Sequence, residues 1–281
     1  MFAQVISALM RALMVAAIVA LPALAVPALD GGTGGDGTQT VVLVALVAGL
    51  LIFLEYSSAY PSFVEFRYAP PINRLWFAAL AVTVIFTTAI FANGQGGGTF
   101  SALLTSIARL FSGYLDMPFS PVRAMVLMLP PDAPAQLVSV VRTMAGFAYA
   151  LSLFVIVLFF VMIRVLDWPV RNGAFNVWIN LPLFDPTVGH DVVRRLRQHA
   201  RVNLLLGFLL PFVLPAIGQI AAGWIDPLTL NRPLTLIWAV TLWAILPASI
   251  MIRGMAIGRV ADMIQQKRDR AYAAQDQEYA L

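Results

Sequence analysis

Six uncharged apolar stretches divide this chain, and the arginines gather in every second gap between them. The stretches cover residues 12–29, 38–54, 75–93, 143–163, 203–224 and 234–252. A bilayer core takes roughly 20 apolar residues in helical form, because lipid offers no partner to an open backbone N–H or C=O. The second stretch meets that length only by drawing on Thr38–Thr40 or by thinning the bilayer around it. Composition agrees: 60% of the 281 residues are hydrophobic and 11% are charged, against about 25% charged in a soluble domain. The expected fold class is all-α, a polytopic helical membrane protein. Its domains are a six-span bundle over residues 1–252 and a helical tail over 253–281.

The charge distribution orients the bundle. Of the 18 Lys and Arg residues, only Arg109, Arg123, Arg142 and Arg232 lie in the loops of one side. The other side holds all the rest, in the N-terminus, the loops after the second and fourth stretches, and the tail. The positive-inside rule then places both termini in the cytoplasm. Lys267 is the one lysine; this bias, with the abundant alanine, points to a GC-rich bacterial genome, and the helical spans then to the inner membrane. The basic pI of about 9.8 therefore reflects membrane orientation rather than a nucleic-acid partner. With no cysteine, the chain has no disulfide, thiolate metal site or covalent haem attachment.

The first stretch also mimics a secretory signal: Arg11, the run Ala12–Leu21, Pro22, then Ala23-Leu24-Ala25. Against cleavage stands a small-residue stripe at i+4 spacing, Ala8, Ala12, Ala16 and Ala20, which lets a neighbouring helix approach closely. A retained span is expected. Gly254 and Gly258 form a similar G-x-x-x-G pair, and Ala45 with Gly49 offers a third small-residue surface.

Between the spans, Gly31-Gly32-Thr33-Gly34-Gly35-Asp36 fits one copy of a calcium-binding repeat that needs stacked copies, so a linker is expected there. In the long outer loop, Phe100, Leu103, Leu104, Ile107, Leu110, Phe111 and Tyr114 recur at helical spacing. Ser101, Thr105, Arg109 and Ser112 fall opposite, and the segment is expected to be a periplasmic interfacial amphipathic helix. Pro121–Pro130 encloses an apolar run too short to cross. The loop 56–74 carries three prolines, five aromatics, Glu65 and Arg67; a loop this aromatic is expected to pack on the other inner loop or on a partner.

The loop after the fourth span is the most function-like stretch. Asp185-Pro186-Thr187 reads as a helix start, and Arg194, Arg197 and Arg201 share one face of the helix that follows. They suit an anionic substrate or lipid headgroup, each worth about 1 kcal/mol against an anionic leaflet. His190 and His199 fall on opposite sides of such a helix, at about 100° per residue, and cannot chelate one metal. Pro211 and Pro215 each remove a backbone donor near Gln219, the makings of a solute path past kinked spans 5 and 6.

No span contains Asp, Glu, Lys, Arg or His, which weakens a proton- or sodium-driven mechanism. The chain has no G-x-x-x-x-G-K-[ST], H-E-x-x-H or G-x-S-x-G motif. No catalytic residue, cofactor or metal site is expected. The expected role is a non-catalytic accessory, assembly or scaffold subunit of a larger membrane complex. Its partners would be anionic lipid headgroups and other membrane subunits or a second copy. The alternative is a transporter or channel for a small neutral or anionic solute. A third reading is a lipid-modifying enzyme using Asp185, His190 and Asp191.

Overall fold

The computed structural model describes residues 2–26, 36–169, 176–184, 191–222 and 232–279, and all of its regular structure is helical. The glycine-rich 31–35 run, Asp185, Pro186 and His190 lie outside the described residues. The elements are α1 (Phe2–Ala25), α2 (Asp36–Ser57), α3 (Ile72–Gly94), α4 (Thr99–Leu115), α5 (Pro121–Val126), α6 (Ala135–Val165), α7 (Val177–Asn180), α8 (Val192–Ala222) and α9 (Pro233–Tyr279). Six of them, α1, α2, α3, α6, α8 and α9, are long and apolar enough to cross a membrane. The first begins ten residues before the expected start, at Phe2, and the last runs unbroken through the expected tail as a 47-residue helix.

Two hairpins are closed by small residues. A Cβ at Gly49 in α2 would sit 3.1 Å from Ala16 Cβ and 3.2 Å from the Ala12 carbonyl oxygen. Ala12 and Ala16 of the α1 stripe therefore face α2 of the same chain, while Ala20 is half-buried. In the α8–α9 hairpin, a Cβ at Gly254 would lie 3.0 Å from the Ala200 carbonyl and 3.0 Å from Asn203 Cβ. Gly207 meets the Pro247 carbonyl at 2.8 Å by the same measure, and Gly258 meets Ala200 at 3.6 Å. Bare backbone on one helix lets the other approach to van der Waals distance, which is how membrane helices associate without a hydrophobic drive between them.

The middle of the bundle is α3, α6 and α9. Toward the end where the arginines are few, Ile90, Val141, Met144, Leu236, Ile237 and Val240 pack together. Toward the basic end, Ile72, Val155, Phe159, Ile252, Ala256 and Ile257 pack with Trp168, Leu181 and Leu196. Between them the buried threonines of α3 return their hydroxyls to the helix: Thr83 donates to Ala79 O at 2.7 Å and Thr87 to Thr83 O at 2.8 Å. The α9 extension is thus a core element over its first turns beyond Arg253, with Val260 and Ala261 also buried.

The expected amphipathic helix exists as α4, and the face it turns to the bundle is not the aromatic one. Ser101, Leu104, Thr105, Ala108 and Ser112 are buried, and Ser112 packs against the bare backbone of Gly146 in α6. Phe100, Leu103, Leu110, Phe111 and Tyr114 are exposed. That is the arrangement hydrocarbon surroundings favour: the apolar side meets lipid and the small side permits close packing. Asp116, just past α4, lies between Arg123 of α5 at 2.8 Å and Arg142 of α6 at 2.6 Å. The short α5 is capped by Ser120, whose Oγ accepts from the Arg123 amide at 3.0 Å, with Pro121 in the first turn.

Candidate functional site: a cavity at the basic end

The site is built by the loop between α2 and α3. Helix α2 ends with open carbonyls, and Arg67 caps them, donating to Glu55 O at 2.7 Å, Tyr56 O at 3.0 Å and Ser58 O at 3.0 Å. The Glu55 carboxylate does the reverse, accepting from the amides of Ser62, Phe63 and Val64 at 2.8, 3.3 and 3.0 Å. Glu55 stands at the end of its span, where a carboxylate ordinarily reaches water. It is buried instead, because three backbone donors replace its hydration.

Glu65 and Arg67, two apart, take different partners. Glu65 is buried and forms a two-bond pair with Arg253 of α9, at 2.5 and 2.7 Å. Asn73 Nδ2 holds the Glu65 carbonyl at 3.0 Å. Phe66 has φ +55°, in the left-handed region, and its amide donates to Asn180 O at 2.7 Å. The Tyr68 amide donates to Asn180 Oδ1 at 3.1 Å, and Trp168 Nε1 donates to Pro70 O at 3.1 Å. The aromatic loop packs on the other loop of the same end, through α7 and Trp168.

Above this loop, between the α1–α2 hairpin and α3 with α9, lies a cavity of about 760 Å³. Its polar part is Arg11, Tyr56, Arg67, Asn73, Arg74 and the Glu65–Arg253 pair. Its apolar part is Met14, Val15, Ile52, Phe77, Leu80 and Ile245. Four arginines and one glutamate line it, so the lining carries excess positive charge. Arg11 bends toward the basic end, donating to Ser7 Oγ at 2.9 Å with its guanidinium 4.6 Å from the Tyr56 ring centre. Arg74 is exposed and has no ion-pair partner among the described residues. Trp76 lines the cavity with its indole N–H buried and unpartnered among the described residues.

The residues singled out from sequence lie elsewhere. Arg194, Arg197 and Arg201 are exposed on α8, with Arg197 3.2 Å from Asp262, and none lines the cavity. Arg195, their neighbour, lies over the Phe184 ring at 4.8 Å. His199 meets the same ring edge-on at 5.9 Å. Asp191 pairs with Arg268 at 2.5 Å, and that hydrogen bond, with the Val193 amide, holds its carboxyl below the usual range although the group is exposed. The carbonyl of Pro211, which Pro215 leaves without an amide donor, accepts from Trp243 Nε1 at 2.8 Å. Gln219 donates its side-chain amide to the Leu127 carbonyl.

The cavity was missed because its parts are far apart: 188 positions separate Glu65 from Arg253. The usable signal was Arg11, a lone arginine about two and a half turns into an apolar helix. The architecture is that of a polytopic helical membrane protein. Compared with protein-family models, curated proteins and solved structures, the chain matches none.

Proposed function

We propose that this chain is a non-catalytic, multi-pass accessory or assembly subunit of a larger complex in a bacterial inner membrane, with its basic end and both termini in the cytoplasm. One observation carries the reading: the 58–71 loop is held rigid by Glu55, Arg67 and the Glu65–Arg253 pair while displaying Tyr60 and Tyr68, 77% and 50% exposed. Pre-organised aromatic and arginine side chains are what protein interfaces are enriched in. The small-residue surfaces of α1, α2, α8 and α9 add no support, because each is spent within the chain. A solute path along α8 draws less support, since the Pro211 carbonyl and Gln219 already have partners.

The test is native mass spectrometry after gentle extraction from the source membrane. A partner at fixed stoichiometry that Tyr60→Ala with Tyr68→Ala releases is the expected result. A lone chain or homo-oligomer overturns the reading.

A further inference from the structure

We infer that the basic-end cavity is a binding site for a single lipid with a phosphate head and a hydrocarbon chain, taken from the leaflet at that end. The inference stands apart from the partner reading, because Tyr60 and Tyr68 do not line the cavity. Three features of the cavity select this ligand. Its volume, about 760 Å³, falls in the range of roughly 300–1,000 Å³ that encloses a small molecule. Its charge is positive: Glu65 is matched by Arg253, which leaves Arg11, Arg67 and Arg74 unmatched by any lining carboxylate. Its apolar part then continues from those arginines along α1, α2 and α3 through Val15, Ile52, Phe77 and Leu80.

The three arginines are not equivalent. Arg67 spends its N–H groups on the end of α2, so it contributes charge but few free donors. Arg11 has a neutral partner in Ser7 and keeps donors on its other nitrogens. Arg74 is exposed at the start of α3 and brings a whole guanidinium fork, which matches a phosphate in two parallel bonds. Met14, Phe63 and Leu183 also line the cavity and are exposed, so its wall opens to the surroundings on that side. A free anion would use the arginines and leave the apolar wall wet. A lipid uses both.

The purified full-length chain in neutral detergent is titrated with phosphatidic acid, phosphatidylcholine and inorganic phosphate, and bound species are counted by native mass spectrometry. One phosphatidic acid is expected to bind in preference to phosphatidylcholine. Arg74→Gln is expected to weaken it about tenfold, the loss of a charge-assisted hydrogen bond. Leu80→Trp, which fills the apolar part, is expected to weaken it as much, while Arg201→Gln, outside the cavity, leaves it unchanged. Arg74 is exposed, so its variant keeps the fold and guards against misreading a misfolded Leu80→Trp chain. Equal binding by wild type and Arg74→Gln overturns the inference, as does equal binding of phosphatidylcholine. Full competition by inorganic phosphate at the lipid's own concentration, with Leu80→Trp unaffected, also overturns it by reducing the cavity to a simple anion site.

Discussion

Glu65, buried, and Arg253, half-buried, form a two-bond ion pair, at 2.5 and 2.7 Å, between a proline-interrupted loop and the longest helix of the bundle. The pair joins the 58–71 loop to α9 and forms one wall of the cavity. Removing one partner strands the other in a low-dielectric setting. Glu65→Ala is expected to cost about 3 kcal/mol, the lower end for a buried pair, because Arg253 keeps 28% of its side chain exposed. Replacing both, as Glu65→Leu with Arg253→Leu, is expected to cost less than either single change. Unfolding midpoints in detergent decide it; a double variant whose cost equals the sum of the two single costs would show that the pair is not coupled.

The Trp243–Pro211 hydrogen bond gives a second test. Pro215 has no amide to offer the Pro211 carbonyl, and the Trp243 indole supplies the missing donor at 2.8 Å. Trp243→Phe leaves that carbonyl unsatisfied and is expected to cost about 1–3 kcal/mol. In a Pro215→Ala background the restored backbone amide takes over, so the same Trp243→Phe change is expected to cost less. A double-mutant cycle with no coupling contradicts this account of how the Pro211 carbonyl is satisfied.

Glycines should divide by what stands over them. Gly254→Val places a side chain 3.0 Å from the Ala200 carbonyl, and overpacking there is expected to cost about 1–3 kcal/mol. Gly113 in α4 has nothing within 4 Å of a new Cβ. There Gly113→Ala is expected to stabilise by about 0.5–1 kcal/mol through helix propensity alone. The same unfolding measurement reads both, and a destabilised Gly113→Ala would mean that α4 has a neighbour on that side.

Helix α4 shows where the sequence was legible and where it was not. Its existence and length followed from the apolar spacing of Phe100 to Tyr114, as did the six spans and the continuation of α9. Its inward face did not follow. Periodicity locates a helix with two unlike faces, and in water the apolar one turns in. In hydrocarbon the exterior is apolar too, so burial goes to Ser101, Thr105, Ala108 and Ser112, which allow close backbone approach. The alanine stripe of α1 was legible as a packing surface, yet nothing in it said that its partner would be Gly49 of the same chain. The Glu55 and Glu65 contacts depend on how a loop with three prolines folds back, and no period encodes that.

The lipid-facing aromatic side of α4 can be checked directly. With tryptophan placed at Leu110 or at Ser112, brominated lipids are expected to quench the difference fluorescence of the Leu110→Trp chain and not that of Ser112→Trp. The Ser112→Trp chain is also expected to lose stability, since Ser112 packs against the Gly146 backbone. Equal quenching at both positions would contradict the packing.

The Asp191–Arg268 pair carries a pH signature. The hydrogen bond from Arg268 lowers the Asp191 carboxyl below its ordinary value of 3.8. The tie between the start of α8 and the α9 extension is therefore present above that value and lost as pH falls through the lowered one. Arg268→Gln is expected to raise the titration of Asp191 back toward the ordinary carboxylate range, followed by carboxyl carbon NMR. No change on substitution would mean that the pair does not persist in solution.

Both the partner surface and the lipid cavity belong to the basic end, so the account turns on which way that end faces. The chain has no cysteine, so each one introduced is the sole thiol. Asp132 lies exposed between α5 and α6, and Gln275 lies exposed near the end of α9. A membrane-impermeant maleimide applied to intact spheroplasts should label Asp132→Cys, and should label Gln275→Cys only after lysis. The reverse pattern would place the basic end outside the cell and contradict the account.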